Sequence, residues 1–445
     1  MKGHRAFIYI TMIFLCAAVR TGSHAESPGT GALSAKTAGG GRVSLAYRGG
    51  RNYILVERTD LLRYDNGHFT GLLSREVQSY IADRGADADG NRLYEGSFYV
   101  VEETKRDRKR VREGIHTAID SSFKMTPEGE LVMLEDNGYP AFRSFPSYTK
   151  AKIQIGDKWV ARAERAVDPL NNGTVTRMPI LVEYTYVRDD VYNGEDVHVL
   201  EARWATRYGS SSSAAFDPEG DAALQKADGS HNATIIISRR QGNALVIRDT
   251  VDETFVYEGG QTVRLKGTIS LFTRYPPAYS SSEVIAAAGS AGGASSSAGA
   301  ASSGSGGPSS AAGRASGGSP LGRDTTVIEG ADGITLVMRN LQFESDSARL
   351  LPGQEARLDT IAGVLKAAPD SQYLVEGHTA DTGNPAGEKK LSLERARAVA
   401  EALALRGVDP GQFICRGWGA AKPAAGNDTA EGRAANRRVE ITILK

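Results

Sequence analysis

Residues 377–399 read GHTADTGNPAGEKKLSLERARAV, and the change of rhythm inside them decides the C-terminal fold. A strand pattern, QYLVEG at 372–377, runs out here into the turn Thr382-Gly383-Asn384-Pro385. The segment then enters LSLERARAVAEALALRG, residues 391–407, where Ala396, Val399, Ala400 and Leu403 recur at helical spacing. Ser392 is the expected N-cap and Gly407 the C-terminal stop. That start places Arg395 in the first turn, where a cation opposes the helix dipole at a cost of about 0.3–1 kcal/mol. An arginine so placed either awaits an anion, helped by free backbone N–H groups, or pairs with Glu388, Glu394 or Asp381.

Working outward, GITLVMRNLQF (333–343) reads as a strand. PGQEARLDTIAGVLKAAP (352–369) reads as a helix carrying Leu358, Ile361, Ala362 and Leu365 on one face, with Pro369 just beyond its end. FICRGWG (413–419) and RRVEITIL (437–444) read as two further strands. Residues 326–445 are therefore expected to form a compact α/β sandwich of βαβαββ order.

The stretch at 280–325 is almost entirely Gly, Ala and Ser, which cannot bury enough apolar surface to offset ordering entropy. It is expected to be a flexible linker with a root-mean-square span of about 35–40 Å. Ahead of it, segments such as PILVEYTYV (179–187), ATIIISRR (233–240) and TVRLKGTISLFTRY (262–275) alternate at period two and are punctuated by Asp-Gly, Asn-Gly and Gly-Gly. They predict antiparallel β-rich modules at 26–148 and 149–279, with a seam near 142–148. One helix is expected within them, LLSREVQSYIADRG at 72–85, with Val77, Tyr80 and Ile81 along a face. Charges on both faces of the strands argue against a membrane-spanning barrel.

Residues 1–25 have the layout of a cleavable export signal: Lys2 and Arg5, then an apolar stretch at 6–19, then Ser23-His24-Ala25. That stretch is short of the roughly 20 residues a spanning helix needs. Lipidation at Cys16 or a retained anchor is the alternative, and Leu15 before Cys16 is bulky for a lipidation signal. Cleavage leaves Cys415 as the one cysteine, so no internal disulfide is available and the exported chain depends on its apolar cores. The formal net charge of zero gives no general attraction to nucleic acid.

A resemblance joins these readings. The blocks FESDSARLLP (343–352), LDTIA (358–362), VEGHT (375–379), LSLERA (391–396), RGWG (416–419) and EGRAANRRVE (431–440) resemble, in order and spacing, the OmpA-like C-terminal domain family. That resemblance implies a noncatalytic domain that binds the peptide stem of peptidoglycan. Family members hold a stem diamino acid between an acid just after Gly-His-Thr and an arginine in Leu-Ser-x-x-Arg-Ala. Arg395 falls on the family arginine, while Thr379, Asn436 and Arg438 fall on residues lining the same pocket. The family acid falls on Ala380, and Asp381 sits one position late. In a strand that shift turns a carboxylate to the opposite face; in a turn the backbone can rotate to compensate.

The expected partners are peptidoglycan and an outer-membrane or periplasmic protein, in the periplasm or at the outer membrane, with no cofactor, metal or catalytic residue. The rivals are a periplasmic enzyme in the β-rich region that the wall domain localises, and an OmpA-like domain turned to protein interaction. Weaker signals have bland readings: DADG (87–90) as a plain turn, GWGAAK (417–422) as a strand-to-loop turn, the basic run at 105–112 as a solvated face, and Cys415, Trp159 and Trp204 as core.

Overall fold

The computed structural model describes residues 34–35, 41–104, 114–209, 217–276, 279–290, 325–339 and 341–445. The expected signal segment, Cys16, the basic run at 105–112 and most of the Gly/Ala/Ser stretch lie outside the described residues.

The N-terminal region is one antiparallel sheet. Its strands are β1 (Ser34–Ala35), β2 (Tyr53–Asp65), β3 (His68–Ala86), β4 (Arg92–Thr104), β6 (Ile119–Met125), β7 (Leu131–Glu135), β8 (Phe142–Arg143), β9 (Lys158–Val167), β10 (Thr176–Tyr192), β11 (Glu195–Gly209), β12 (Leu224–Ser238), β13 (Ala244–Tyr257) and β14 (Thr262–Arg274), with β5 (His116–Thr117) belonging to a second sheet. Their spatial order is β7-β6-β4-β3-β2-β14-β13-β12-β11-β10-β9-β8, with β1 on β10.

Topology alone forces this sheet to curl. Twelve strands in a row span about 50 Å if flat. Yet β7 and β8, at opposite ends of that row, are joined by residues 136–141, which reach at most about 25 Å. The two edges are tied further by Tyr148 N–H donating to the Glu128 carbonyl at 2.7 Å and Leu131 N–H donating to Ser144 Oγ at 2.9 Å. The result is a nearly closed half-barrel. Along β11, Leu200, Ala202, Trp204, Thr206 and Tyr208 are buried on the inner face, while Glu201, Arg203, Ala205 and Arg207 face solvent. A charged outer row is not a lipid-facing one.

Two expectations are corrected here. The two β-rich modules are one sheet: the expected seam at 142–148 is where its last strand closes it. Residues 72–85 are strand β3, not a helix. Val77 and Ile81 point into the half-barrel, whereas Tyr80 and Ala82 pack against the C-terminal domain. With both faces covered, period-two alternation disappears and the apolar spacing mimics a helix.

The C-terminal domain comprises α1 (Ser281–Ser290), β15 (Thr325–Glu329), β16 (Gly333–Arg339), α2 (Glu355–Leu365), β17 (Tyr373–His378), α3 (Pro385–Ala404), β18 (Phe413–Gly419), α4 (Ala430–Asn436) and β19 (Arg438–Leu444). The expected βαβαββ frame therefore gains β15 at one edge and α4 before the last strand. The sheet runs β15-β16-β19-β17-β18-β5, with β17 and β18 parallel. Helix α3 lies directly on the backbone of these two strands: a Cβ on Gly377 would sit 2.0 Å from the Ser392 carbonyl oxygen, and one on Gly417 would sit 2.4 Å from that of Lys389. Only glycine allows that approach.

The linker reading also changes. Its first ten or so residues form α1, whose Val284 and Ala288 are buried in the C-terminal core beside Ile334 and Ile361. Tyr279 Oη donates to the Ile443 carbonyl at 2.8 Å, so the chain has already reached the C-terminal domain before the Gly/Ala/Ser stretch begins. Helix α1 before residues 291–324 and strand β15 after them belong to the same domain, so that stretch is not the boundary between the two domains.

The half-barrel docks on the C-terminal sheet instead. Tyr80, Ala82 and Tyr99 bury against Leu374, Ile414 and Leu444, β5 pairs in parallel with β18, Arg84 bridges Asp332 at 2.6 Å, and Arg416 bridges Asp120 at 2.7 Å. Ala82→Glu would place an unpaired carboxylate in this contact. The expected outcome is separation of the domains, read as an increased radius of gyration by small-angle scattering and as cleavage near 276–279 under limited proteolysis.

Candidate functional site

Asn384 caps α3 by accepting from Gly387 N–H at 3.1 Å, and Pro385 occupies its first turn. Buried Glu388 accepts from Thr382 N–H at 2.6 Å, Thr382 Oγ1 at 2.8 Å and Asn384 N–H at 3.3 Å, bonds that hold its carboxyl below the usual range. The expected start at Ser392 is thus two turns late. Ser392 is fully buried inside the helix, where its hydroxyl donates to the Lys389 carbonyl and accepts from Gly419 N–H, both at 2.9 Å, pinning α3 to β18. Arg395 therefore stands mid-helix, where the dipole argument does not apply.

Position along α3 aims Arg395 into a cleft of about 320 Å³ between the 341–351 segment, α3 and β19. Its Nε donates to the Ser347 carbonyl at 3.0 Å and its guanidinium lies 4.9 Å from the centre of the Phe343 ring. Among the described residues no carboxylate forms a salt bridge with it. The three expected protein partners are engaged elsewhere: Glu388 in the cap, Glu394 at 4.0 Å from Lys390, and Asp381 in its own turn. Burial pulls the Arg395 pKa down, Asp346 opposes that, and Arg437 adds to it. The side chain remains a cation.

Arg437 and Arg438 line the same cleft. Arg438 is buried: its Nε donates to Glu440 Oε1 at 2.6 Å and Nη2 to the Lys422 carbonyl at 3.1 Å, while among the described residues Nη1 has no hydrogen-bond partner. His378, at the cleft floor, is 3% exposed, and among the described residues neither ring nitrogen has a hydrogen-bond partner. Burial, with Arg438 and Lys422, pushes it down to about 3, so the ring is neutral at neutral pH and its 3.9 Å approach to Glu440 is not an ion pair. Because this pKa is depressed on folding, the unfolded chain takes up the proton first. The C-terminal domain should lose stability as pH falls from about 6.5 towards 3, on the order of 1 kcal/mol per pH unit. His378→Phe should flatten that slope in urea unfolding curves recorded at several pH values.

Of the five site residues expected from sequence, the cleft brings together Arg395 and Arg438. Thr379 is buried outside the lining, its N–H donating to the Gly419 carbonyl at 2.9 Å. Asn436 is fully buried and spends its amide on one loop: Oδ1 accepts from Ala424 and Ala425 N–H, and Nδ2 donates to the Ala425 carbonyl and Asn427 Oδ1. Asp381 is exposed and outside the lining. Its Oδ1 accepts from Gly383 N–H at 2.9 Å and its N–H donates to Asn427 Oδ1 at 3.2 Å. The late acid therefore does not turn back to replace the one missing at the buried Ala380. His378, Phe343 and Arg437 were missed as site residues, although His378 and Phe343 lie inside the VEGHT and FESDSARLLP blocks.

Among the described residues no group of three or more His, Cys, Asp or Glu side chains is placed to hold a metal, and no helix is long and apolar enough to cross a membrane. Cys415 is buried in β18, which pushes its thiol up to about 12.

An α/β domain whose cleft gathers cationic side chains around an arginine on its long helix is the class of module defined by this geometry. Residues 342–437 match the OmpA family, and this C-terminal segment is an OmpA-family domain. Over 123 residues the chain is 43% identical to the probable lipoprotein YiaD of Escherichia coli, covering 27% of this chain and 56% of that protein. It is 41% identical over 103 residues to the peptidoglycan-binding protein ArfA of Mycobacterium tuberculosis, covering 23% of this chain and 32% of that one. The chain thus spans about half the length of the first and a third of the second. Similar solved structures include the periplasmic domain of Helicobacter pylori MotB (28% identical, 28% of this chain and 81% of that one, TM-score 0.26) and the cell wall anchor of the T6SS from Pseudomonas aeruginosa (32% identical, 27% and 88%, TM-score 0.25).

Proposed function

We propose that this chain is a noncatalytic envelope protein that docks on peptidoglycan through the C-terminal cleft, with Arg395 gripping a carboxylate of the stem peptide. The observation that carries this reading is Arg395 itself: half-buried, steered by Ser347 and Phe343, and without a protein carboxylate among the described residues. A guanidinium held this way suits a planar anion. The names of the relatives support the ligand class, and an export signal would deliver the chain to the periplasm. The half-barrel then rides directly on the wall domain, not on a long tether, and meets an outer-membrane or periplasmic partner from that fixed position. Its buried titratable cluster around His231 is closed to solvent, which favours an adaptor over an enzyme.

The test is cosedimentation of the full chain with sacculi from its source and with diaminopimelate-type sacculi. Binding to at least one is expected; failure on both would sink the reading. The cleft is positive on its arginine side and lacks the acid expected at Ala380.

A further inference from the structure

The inner face of the half-barrel does not close into one core. One apolar cluster lies under β9 to β14 around Tyr184, Trp204 and Phe255. A second lies under β3, β4 and β6 around Val77, Ile81, Tyr94, Phe98 and Phe123. Between them is a cavity of about 100 Å³, walled from one side by Ile247 and Leu271 and from the other by Ile81, Phe98 and Phe123. Protein interiors hold few voids larger than a water molecule, so an apolar gap between two packed clusters is a site for apolar matter. An engineered cavity of about 150 Å³ admits benzene, so this one takes a guest somewhat smaller, such as the last few carbons of an alkyl chain.

The wall is polar at one end. Arg51, Asn243, Thr273 and Tyr275 converge there, with Tyr275 Oη donating to Asn243 Oδ1 at 3.3 Å and the Arg51 guanidinium 4.1 Å from the centre of the Tyr275 ring. Arg51 is exposed and, among the described residues, has no salt bridge and is the one charged side chain in the cavity wall. The lining is therefore two-ended, with hydrocarbon inside and a single cation outside. We infer that the half-barrel binds an amphipathic monoanion, an alkyl carboxylate whose chain enters between the two clusters and whose carboxylate meets Arg51. This site is about the β domain alone and is independent of peptidoglycan binding.

Titration of the full chain with octanoate, followed by calorimetry and saturation-transfer NMR, tests it, with octylammonium and octanol as charge controls. Octanoate should bind at least tenfold more tightly than either control. Arg51→Glu, an exposed change that leaves the fold intact, should weaken octanoate at least tenfold. Ala244→Phe, which fills the cavity from its half-buried wall, should abolish binding. No octanoate binding by the wild-type chain would overturn the inference. So would equal binding of octanol or octylammonium, or an Arg51→Glu variant that binds octanoate as the parent does.

Discussion

Arg395→Ala is expected to lower affinity for sacculi by tenfold to about a thousandfold, enough to move the chain from pellet to supernatant in cosedimentation. Nε is occupied by the Ser347 carbonyl and the guanidinium plane is steered by Phe343, so the terminal nitrogens are left to face a ligand in a preset orientation. A charge-assisted hydrogen bond contributes about 1.5–3 kcal/mol, and truncating one partner of a buried, hydrogen-bonded charge pair costs about 2–5 kcal/mol. Arg395→Lys keeps the charge but loses the planar fork, so it should fall between wild type and alanine. Neither change breaks a salt bridge among the described residues, and both variants should unfold near the wild-type midpoint. An alanine variant that still pellets as the parent does would remove Arg395 from the site and the carboxylate grip with it.

The C-terminal half was legible because its signals are local. Gly407 stops α3, Leu358 to Leu365 mark one face of α2, and FICRGWG has the bounds of β18. The start of α3 was misread because two capping signals sit eight residues apart. Asn384-Pro385 reads as a turn beside the strand pattern before it, yet an Asn N-cap followed by Pro is itself a helix start. The N-terminal half hid its plan for a nonlocal reason. Nothing in VQSYIADR announces that a second domain covers the outer face at Tyr80 and Ala82. Nor does a Gly/Ala/Ser run say that both of its ends belong to the same domain. Arg395 was legible through the LSLERA block, since the helix-start argument for it fails once α3 begins at Pro385, and His378 was illegible because its isolation is a matter of depth.

The second large effect concerns stability of the half-barrel, and Glu253→Gln is expected to lower it by about 3–5 kcal/mol. Glu253 Oε1 is 2.5 Å from Arg165 Nη1, 2.8 Å from His231 Nε2 and 2.5 Å from Thr206 Oγ1, while His231 Nδ1 is 2.6 Å from Asp249 Oδ2. Trp204 stacks on the imidazole at 4.3 Å between ring centres and closes the cluster. Burial alone would raise the Glu253 pKa, but the Arg165 charge and the His231 hydrogen bond overcome it and hold the carboxyl far below its ordinary 4.5. A depressed carboxylate stabilises the fold above its unfolded pKa, and that contribution is lost as pH falls below it. Wild-type stability should therefore fall as pH drops below about 4.5, and Glu253→Gln should start lower and show a shallower slope there. Urea unfolding followed by tryptophan fluorescence reads both, since Trp159 and Trp204 lie in this domain. The penalty belongs to the stranded Arg165 charge more than to the lost bonds, which a second variant separates. Arg165→Met combined with Glu253→Leu removes both charges and should be more stable than Glu253→Gln. If the double variant proves the weaker, the cluster stabilises the sheet through its bonds, and the charge argument fails.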